Sequence, residues 1–263
     1  MIKRIKLFIN DNDKSKYTAE LVGKHLENKG FIIDENNFEL GIAIGGDGSF
    51  LRMIKNTNFN SDKYYVGINS GTLGFLQEIK VNNINNFVDE LLSNQYKIEE
   101  IGIQETTIFR NNESYKFYSL NEIIVRDINL KVLKCDIKID NDLLERYIGD
   151  GILIATSSGS TAHNLSYGGS IVYNTFTSLQ ITPMAPINSK VYRTLLNSVI
   201  VPDKKIIDLI PNNNNLLITI DGENKIYENV ENIETTIDNK KIKCLRLSHY
   251  NFPEKINEKL LTD

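Results

Sequence analysis

The sequence is poor in the residues that build metal centres and disulfide frameworks. Its 263 residues include two cysteines, three histidines, five prolines and no tryptophan. Cys135 and Cys244 lie far apart, and no Cys or His stands at a zinc-site spacing from either of them. A disulfide-dense miniprotein is therefore excluded, and we expect two reduced thiols in β-strands.

Long apolar runs and an excess of basic residues are also missing. No stretch approaches the roughly 18 apolar residues that a membrane-spanning helix needs, and the apolar run after the basic start is too short for a signal peptide. The formal net charge is −4, whereas binding to nucleic acid relies on clustered Lys and Arg. We therefore expect a soluble cytoplasmic protein that binds neither nucleic acid nor membranes.

The first part of the chain alternates between the strand and helix patterns. Apolar residues predict strands over 5–9, 40–44 and 64–68, and helical spacing predicts helices over 18–29 and 84–92. This order is typical of a parallel sheet covered by helices. Residues 1–97 are therefore predicted to form a Rossmann-like α/β domain.

The pattern changes after residue 97. Short segments with period-two alternation follow one another, among them 115–125, 130–139 and 216–220, and they predict an antiparallel β-sandwich over residues 98–247. A short helix is predicted at 254–261, in a tail over 248–263 that packs back on the first domain. The polar tract 212–215 is predicted to be a hairpin loop.

A glycine-rich loop, Gly45–Ser49, follows a strand and precedes a helix. Glycines expose backbone N–H groups there, and a helix N-terminus favours anions, so the loop is suited to phosphate. Asp47 is an anion inside this anion site, which makes sense if its carboxylate accepts a proton or helps to hold a metal. The alternative is an Asp-Gly turn with Ser49 as the helix cap. The Walker sequence GxxxxGK[ST] is absent, so this is not a P-loop enzyme.

Five further motifs place polar residues beside apolar strands. A second glycine loop follows a strand, and an Asn-Glu pair interrupts an apolar segment. Adjacent strand residues point to opposite faces, so we expect one of the two to be buried or in a cleft, unless the strand end reaches solvent there. A loop rich in Ser and Thr offers hydroxyls and amides to a polar ligand. Residues 180–186 carry two of the five prolines and are expected to form a rigid wall, whereas residues 221–223 can be read as a simple hairpin turn. The motifs are 69–76, 121–122, 149–169, 180–186 and 221–223.

In this order and at this spacing, the motifs resemble those of the NAD kinase family. The family's GGDG, NxGxLGFL, NE, DG, GSTAYxLSxGG, TPxxP and DG motifs have counterparts along most of this chain. The resemblance implies an α/β domain followed by a β-sandwich, assembled as a homodimer or homotetramer. It also implies phosphorylation of the adenosine ribose 2′-hydroxyl of NAD to give NADP. ATP or polyphosphate would be the donor, with Mg²⁺ or another divalent cation.

The resemblance also implies roles for individual residues. Asp47 would be the catalytic carboxylate, and Asn121 and Glu122 would contact the ribose and base of NAD. No residue is predicted to be a dedicated metal ligand. The whole binding set expected from the resemblance comprises Gly45, Gly46, Gly48, Phe75, Asn121, Glu122, Asp150, Ser158, Thr161, Ala162, His163, Asn164, Leu165, Ser166, Ala185 and Glu223.

The sequence departs from the family pattern at four positions. Ser49 replaces a common Thr, and Ser157 replaces a common Pro, which leaves its loop less rigid. His163 replaces the usual Tyr and removes an aromatic hydroxyl. Glu223 replaces the common Gln at the position that the resemblance assigns to the dinucleotide.

Two other functions are compatible with parts of this pattern. A lipid kinase of the diacylglycerol type shares the GGDG loop and a β-sandwich, but it would need a membrane-binding patch, and no basic amphipathic helix of that kind is present. A dinucleotide sensor without catalysis would share the pocket, but it would have no use for Asp47 in an intact glycine loop.

Overall fold

A computed structural model describes residues 2–71 and 74–261, so Thr72 and Leu73 of the second glycine loop lie outside the described residues. The elements in chain order are β1 (Arg4–Ile9), α1 (Asp13–Asn28), β2 (Ile32–Ile33), β3 (Leu40–Gly45), α2 (Asp47–Asn56), β4 (Tyr64–Asn69), β5 (Ile79–Lys80), α3 (Ile84–Ser93), β6 (Tyr96–Arg110), β7 (Glu113–Ser119), β8 (Glu122–Asp127), β9 (Leu133–Ile139), β10 (Asp142–Gly149), β11 (Gly151–Thr156), α4 (His163–Ser166), β12 (Ser178–Met184), β13 (Val199–Pro202), β14 (Ile207–Pro211), β15 (Leu216–Ile220), β16 (Glu223–Tyr227), β17 (Val230–Leu247) and α5 (Phe252–Leu260).

The chain divides into two compact units. The first comprises Met1–Glu100 and Lys241–Asp263, and the second comprises Ile101–Lys240. The C-terminal helix α5 thus belongs to the first unit. No helix among the described residues is both long and apolar enough to cross a membrane.

The first unit is built on a parallel sheet. Strands β2, β1, β3 and β4 lie side by side, and β5 and the end of β17 also pair with β4 in parallel. β3 is buried along its whole length, as expected for a parallel strand whose two faces are both covered. In the register of this sheet Gly45 pairs with Asn69, so the two glycine loops leave the same sheet edge side by side.

Helix α1 begins five residues earlier than predicted. Asn12 is its N-cap, and the Asn12 side chain accepts a hydrogen bond of 2.8 Å from the Ser15 backbone N–H. This cap satisfies a donor of the first turn and allows the helix to start at Asp13. An Asn before a polar first turn is a start signal, but the apolar periodicity begins only later.

The second unit is a β-sandwich. One sheet has the order β13-β12-β11-β8-β15-β16, and each neighbouring pair is antiparallel. A second antiparallel layer contains β10, β9, β14 and β17, and its apolar side chains pack with those of the first layer in one core. An α/β unit and a β-sandwich unit are the predicted fold class, which is confirmed.

Two details of the predicted strand pattern are wrong. Residues 115–125 are not one strand, because the chain breaks at Leu120 and Asn121 between β7, which pairs with β6, and β8, which pairs with β11 and β15. Residues 212–215 do not form a hairpin, because they connect β14 to β15 and these strands lie in different sheets. Both errors arose because alternation along the chain does not reveal the partner of a strand.

Candidate functional site

The first glycine loop is closely packed around its own helix. Gly46 is the N-cap of α2 and provides no side chain to its first turn. Ser49 lies inside α2, and its hydroxyl accepts a hydrogen bond of 3.1 Å from Arg52, so the alternative reading of Ser49 as the helix cap is wrong. A side chain at Gly45 would overlap Ser49, whereas the exposed Gly48 has room for one. The backbone N–H groups at the start of α2 therefore have no competing cap and suit an anionic ligand.

The carboxylate of Asp47 holds the second glycine loop. It accepts hydrogen bonds from the backbone N–H groups of Phe75, at 2.7 Å, and Leu76, at 3.0 Å. A third hydrogen bond joins the two loops, because the buried Gln77 side chain donates to the carbonyl of Gly46 at 2.7 Å. Asp47 is thus fixed in place by two amides, which is more than an Asp-Gly turn requires.

Gly74 and Gly71 make a matched pair for testing this arrangement. A side chain at Gly74 would overlap the Asp47 carboxylate, while a side chain at Gly71 would meet open space. We expect Gly74→Ala to displace Asp47 and to lower kcat by about a hundredfold, the order of effect that a displacement of about 1 Å produces. Gly71→Ala should retain near-native kcat, and equal losses in both variants would contradict the proposed role of this contact.

In the second unit, Asp221 organises the Asn-Glu pair. Its carboxylate accepts hydrogen bonds from the backbone N–H groups of Leu120 at 2.7 Å, Asn121 at 2.8 Å and Glu122 at 3.2 Å. Burial of this carboxyl group raises its pKa, and the three backbone hydrogen bonds oppose that shift. Asp221 does lie at a hairpin turn, between β15 and β16, but it also orients the residues expected to bind the ligand.

Asn121 and Glu122 are both buried, at 8% and 3% relative exposure. Among the described residues, neither Asn121 Oδ1 nor Glu122 Oε2 has a hydrogen-bond partner. A buried acceptor that stays unsatisfied costs about 1–3 kcal/mol, so such atoms are suited to receive donors from a ligand. Hydroxyl and amino groups, as in a nucleoside, supply donors of this kind.

His163 provides a partner for the other oxygen of Glu122. Its Nδ1 lies 3.0 Å from Glu122 Oε1, and its ring is more than half exposed. Burial raises the pKa of Glu122 to about 7, while the hydrogen bond and charge of His163 oppose the shift and Asp221 adds to it. Glu122 therefore changes its charge near neutral pH.

This pair predicts a pH-dependent affinity for the dinucleotide. As the pH falls through about 7, Glu122 gains a proton and becomes a poorer acceptor, so the KM for NAD should rise. His163→Phe removes the group that lowers the Glu122 pKa, and the midpoint of the rise should move to higher pH. The measurement is the KM for NAD between about pH 5 and 9, with His25→Phe as a control. An unchanged midpoint in His163→Phe would show that the pair does not govern binding.

Several polar groups of the hydroxyl-rich loop form hydrogen bonds within the protein, and these bonds fix the conformation of the loop. Thr156 Oγ1 donates to the Leu120 carbonyl at 2.6 Å and accepts from the Gly159 N–H at 3.0 Å. A side chain at Gly159 would overlap the backbone of Asn121, so this loop and the Asn-Glu pair are in direct contact. Asn164 is fully buried and bonds to Ser160 and Thr182, which favours a positioning role over a ligand contact.

The remaining predicted residues of the second unit are half-buried or exposed. Ser158 and Thr161 are the first and last residues of a 3-10 helix, and both are half-buried. Ala162 and Leu165 are also half-buried, whereas Ser166 is exposed. Asp150 is exposed, and its backbone N–H bonds to the carbonyl of Met184, next to the exposed Ala185. Glu223 is exposed at the start of β16.

Two residues that contribute to these sites had no role assigned from the sequence. Asp221 was read as a turn residue and as part of the DG motif, and Gln77 was not singled out. Asp221 carried a signal, since an Asp at a hairpin turn with a free carboxylate can bond to nearby amides. Gln77 stands in a local pattern that carries no such signal.

Comparisons with known proteins agree with this architecture. The model of the ATP-NAD kinase C-terminal domain matches residues 120–242. The chain is 41% identical to an NAD kinase of Finegoldia magna over 92% of both chains, and 32% identical to one of Streptococcus gordonii over 97% of this chain and 94% of that one.

Two solved structures share the fold. The yeast NADH kinase complexed with NADH matches with a TM-score of 0.86 and 21% identity, over 100% of this chain and 90% of that chain. An NAD kinase from Archaeoglobus fulgidus in complex with ATP matches with a TM-score of 0.73 and 19% identity, over 93% of both. The curated relatives identify the chain as a kinase, and its fold is an α/β unit with a β-sandwich unit. The chain belongs to the NAD kinase family.

Proposed function

We propose that this protein transfers the γ-phosphoryl group of ATP to the 2′-hydroxyl of the adenosine ribose of NAD, giving NADP and ADP. The observation that carries the proposal is the pair of buried, unsatisfied acceptors on Asn121 and Glu122 in a chain of this family. They suit the hydroxyl and amino donors of a dinucleotide. Polyphosphate as an alternative donor is part of the same proposal.

Asp47 is the proposed general base. It would accept the proton of the 2′-hydroxyl as the oxygen–phosphorus bond forms and the bond from the γ-phosphorus to the β,γ-bridging oxygen breaks. The N-terminus of α2 would receive phosphate oxygens through its backbone N–H groups. Most of the catalysis would then come from positioning and charge neutralisation.

We further propose that Mg²⁺ enters with the donor. No group of three His, Cys, Asp or Glu in residues 2–71 and 74–261 could hold a metal by itself. Mg²⁺ at a triphosphate is usually held by one or two carboxylates and by the phosphates themselves, so Asp47 fits as a protein ligand without a complete cage. When bound, the cation would neutralise charge on the transferring phosphoryl group.

The other binding roles are proposals of the same kind. Asn121 and Glu122 are assigned to the ribose and base of NAD. The rest of the dinucleotide is assigned to Asp150, Ser158, Thr161, Ser166 and Ala185. A lipid kinase and a dinucleotide sensor are not favoured, because the relatives that match nearly the whole chain are NAD kinases.

A homodimer or homotetramer is also proposed. The segment after β12 exposes several large apolar side chains, which an interface between copies would cover. They are Ile187, Val191, Tyr192, Leu195 and Leu196. Light scattering of the purified protein should show an oligomer, and Val191→Asp together with Leu196→Asp should dissociate it with loss of activity. A fully active monomer would contradict the proposal.

The test of the function is an assay for NADP formed from NAD, ATP and Mg²⁺. Substitution of diacylglycerol for NAD tests the lipid kinase, and polyphosphate in place of ATP tests the donor. Binding of NAD without any NADP would support the sensor and overturn the kinase. Chelation of divalent cations should abolish turnover and leave NAD binding in place.

A further inference from the structure

The C-terminal helix α5 carries two buried cationic groups in the first unit. Lys255 is only 9% exposed. Lys259 is half-buried, but its Nζ is shielded from solvent and has no hydrogen-bond partner among the described residues. Burying an ammonium without a partner is costly, so an anionic ligand is the natural complement of Lys259.

A short stretch of chain connects these lysines to Asp47. The amides of Phe75 and Leu76 bind the Asp47 carboxylate. Immediately afterwards, Glu78 Oε2 lies 3.5 Å from Lys255 Nζ, and Lys80 Nζ lies 3.1 Å from Glu258 Oε1. The segment that fixes Asp47 therefore also contacts α5, through a buried pair at Lys255 and an exposed pair at Glu258. The exposed pair should contribute little to the position of the helix.

The neighbouring cations already have carboxylate partners. Arg246 Nη2 lies 2.6 Å from Glu99 Oε2, and its Nη1 lies 3.6 Å from Glu78. Lys255 shares Glu78 with Arg246. Lys259 differs from Arg246 and Lys255, because its ammonium has no hydrogen-bond partner within residues 2–71 and 74–261.

The charge of Asp47 acts on both lysines. Burial lowers the pKa of Lys255 to about 8, helped by Arg246, while Glu78 and Asp47 oppose the shift. Burial also lowers the pKa of Lys259 to about 8, opposed by Asp47 and Glu258 and supported by Lys80. With a pKa of about 8, Lys259 is mostly protonated at neutral pH, and the charges of Asp47 and Glu258 favour that form.

We propose that Lys259 contacts a phosphate group of the phosphoryl donor beside Asp47 and the N-terminus of α2, with Lys255 as a positioning residue held by Glu78. This assignment rests on the proposed function. A donor triphosphate approaching Asp47 meets a carboxylate of its own sign, and a cation at Lys259 offsets that repulsion. Charge neutralisation of this kind is what phosphoryl transfer requires from a protein.

The test compares Lys259→Met with Lys80→Met. Both variants remove a lysine near α5, but the Lys80 side chain is 47% exposed and already paired with Glu258. Lys259→Met should weaken ATP binding, measured by calorimetry, and raise the KM for ATP by about tenfold to a hundredfold. The KM for NAD and the melting temperature should stay near native. Lys80→Met should bind ATP like the native protein, and Lys259→Arg should recover most of the lost affinity.

The pH dependence provides a second readout that a purely structural lysine would not affect. At constant Mg²⁺, ATP affinity of the native protein should fall above about pH 8, as Lys259 loses its proton in the presence of Asp47, Glu258 and Lys80. Lys259→Arg should show a smaller fall, because Arg stays charged and only Lys255 still loses its proton in this range.

Four outcomes would overturn the inference. They are native ATP affinity in Lys259→Met, an equal loss in Lys80→Met, parallel losses of ATP and NAD affinity with a lower melting temperature, and an unchanged pH profile in Lys259→Arg. A native protein that makes no NADP from NAD and ATP would instead contradict the proposed function itself, so the two failures are distinguishable.

Discussion

Asp47→Asn should lower kcat by about 10² to 10⁴, the usual contribution of general-base catalysis. The substitution keeps the size of the side chain but removes the group that accepts the proton of the attacking hydroxyl. It also removes one of the two acceptors that bind Phe75 and Leu76, because an amide nitrogen cannot accept a hydrogen bond from a backbone N–H. Steady-state kinetics with NAD and ATP measure the loss.

The loop contact and the chemistry can be separated with a second variant. Gly74→Ala disturbs the position of Asp47 without removing its carboxylate, so it should lose less activity than Asp47→Asn. NAD affinity should be near native in both variants, because the acceptors assigned to the dinucleotide lie on other residues. A near-native kcat for Asp47→Asn would exclude Asp47 as the base.

Asp221→Ala should have the largest effect on stability and on NAD binding together. The variant leaves the N–H groups of Leu120, Asn121 and Glu122 without their acceptor. At about 1–3 kcal/mol for each unsatisfied group, the free energy of unfolding should fall on the order of 3 kcal/mol. The loop that presents Asn121 and Glu122 then loses its geometry, so the KM for NAD should rise at least about tenfold. Denaturant unfolding and kinetics measure the two effects.

Two controls sharpen this prediction. Asp221→Asn can keep one oxygen toward Asn121 and Glu122 and lose only the bond to Leu120, so its losses should be intermediate. Asp34→Ala removes another carboxylate that accepts two backbone hydrogen bonds, but these are exposed, and the loss of stability should be much smaller. Equal effects of Asp221→Ala and Asp34→Ala would show that Asp221 does not organise the site.

The sequence alone determined which local structures were available. A strand followed by Gly45–Gly48 and a helix, a second strand followed by Asn69–Gly71, and short alternating strands afterwards are properties of neighbouring residues, which set dihedral preferences and apolar periodicity. The family resemblance was visible for the same reason, because its motifs are contiguous and follow one another in order.

Only the tertiary structure decided which distant groups meet. Alternation along the chain could not show that β7 and β8 belong to different ladders, nor that Asn121 and Glu122 are both buried at the break between them. The acceptor of their amides, Asp221, is about a hundred residues away. Lys259 is farther still from Asp47 in sequence, and its helix contacts the segment that holds Asp47 through Glu78 and Lys80. These contacts depend on how distant elements pack against each other. Such close packing leaves no periodic signal in the chain.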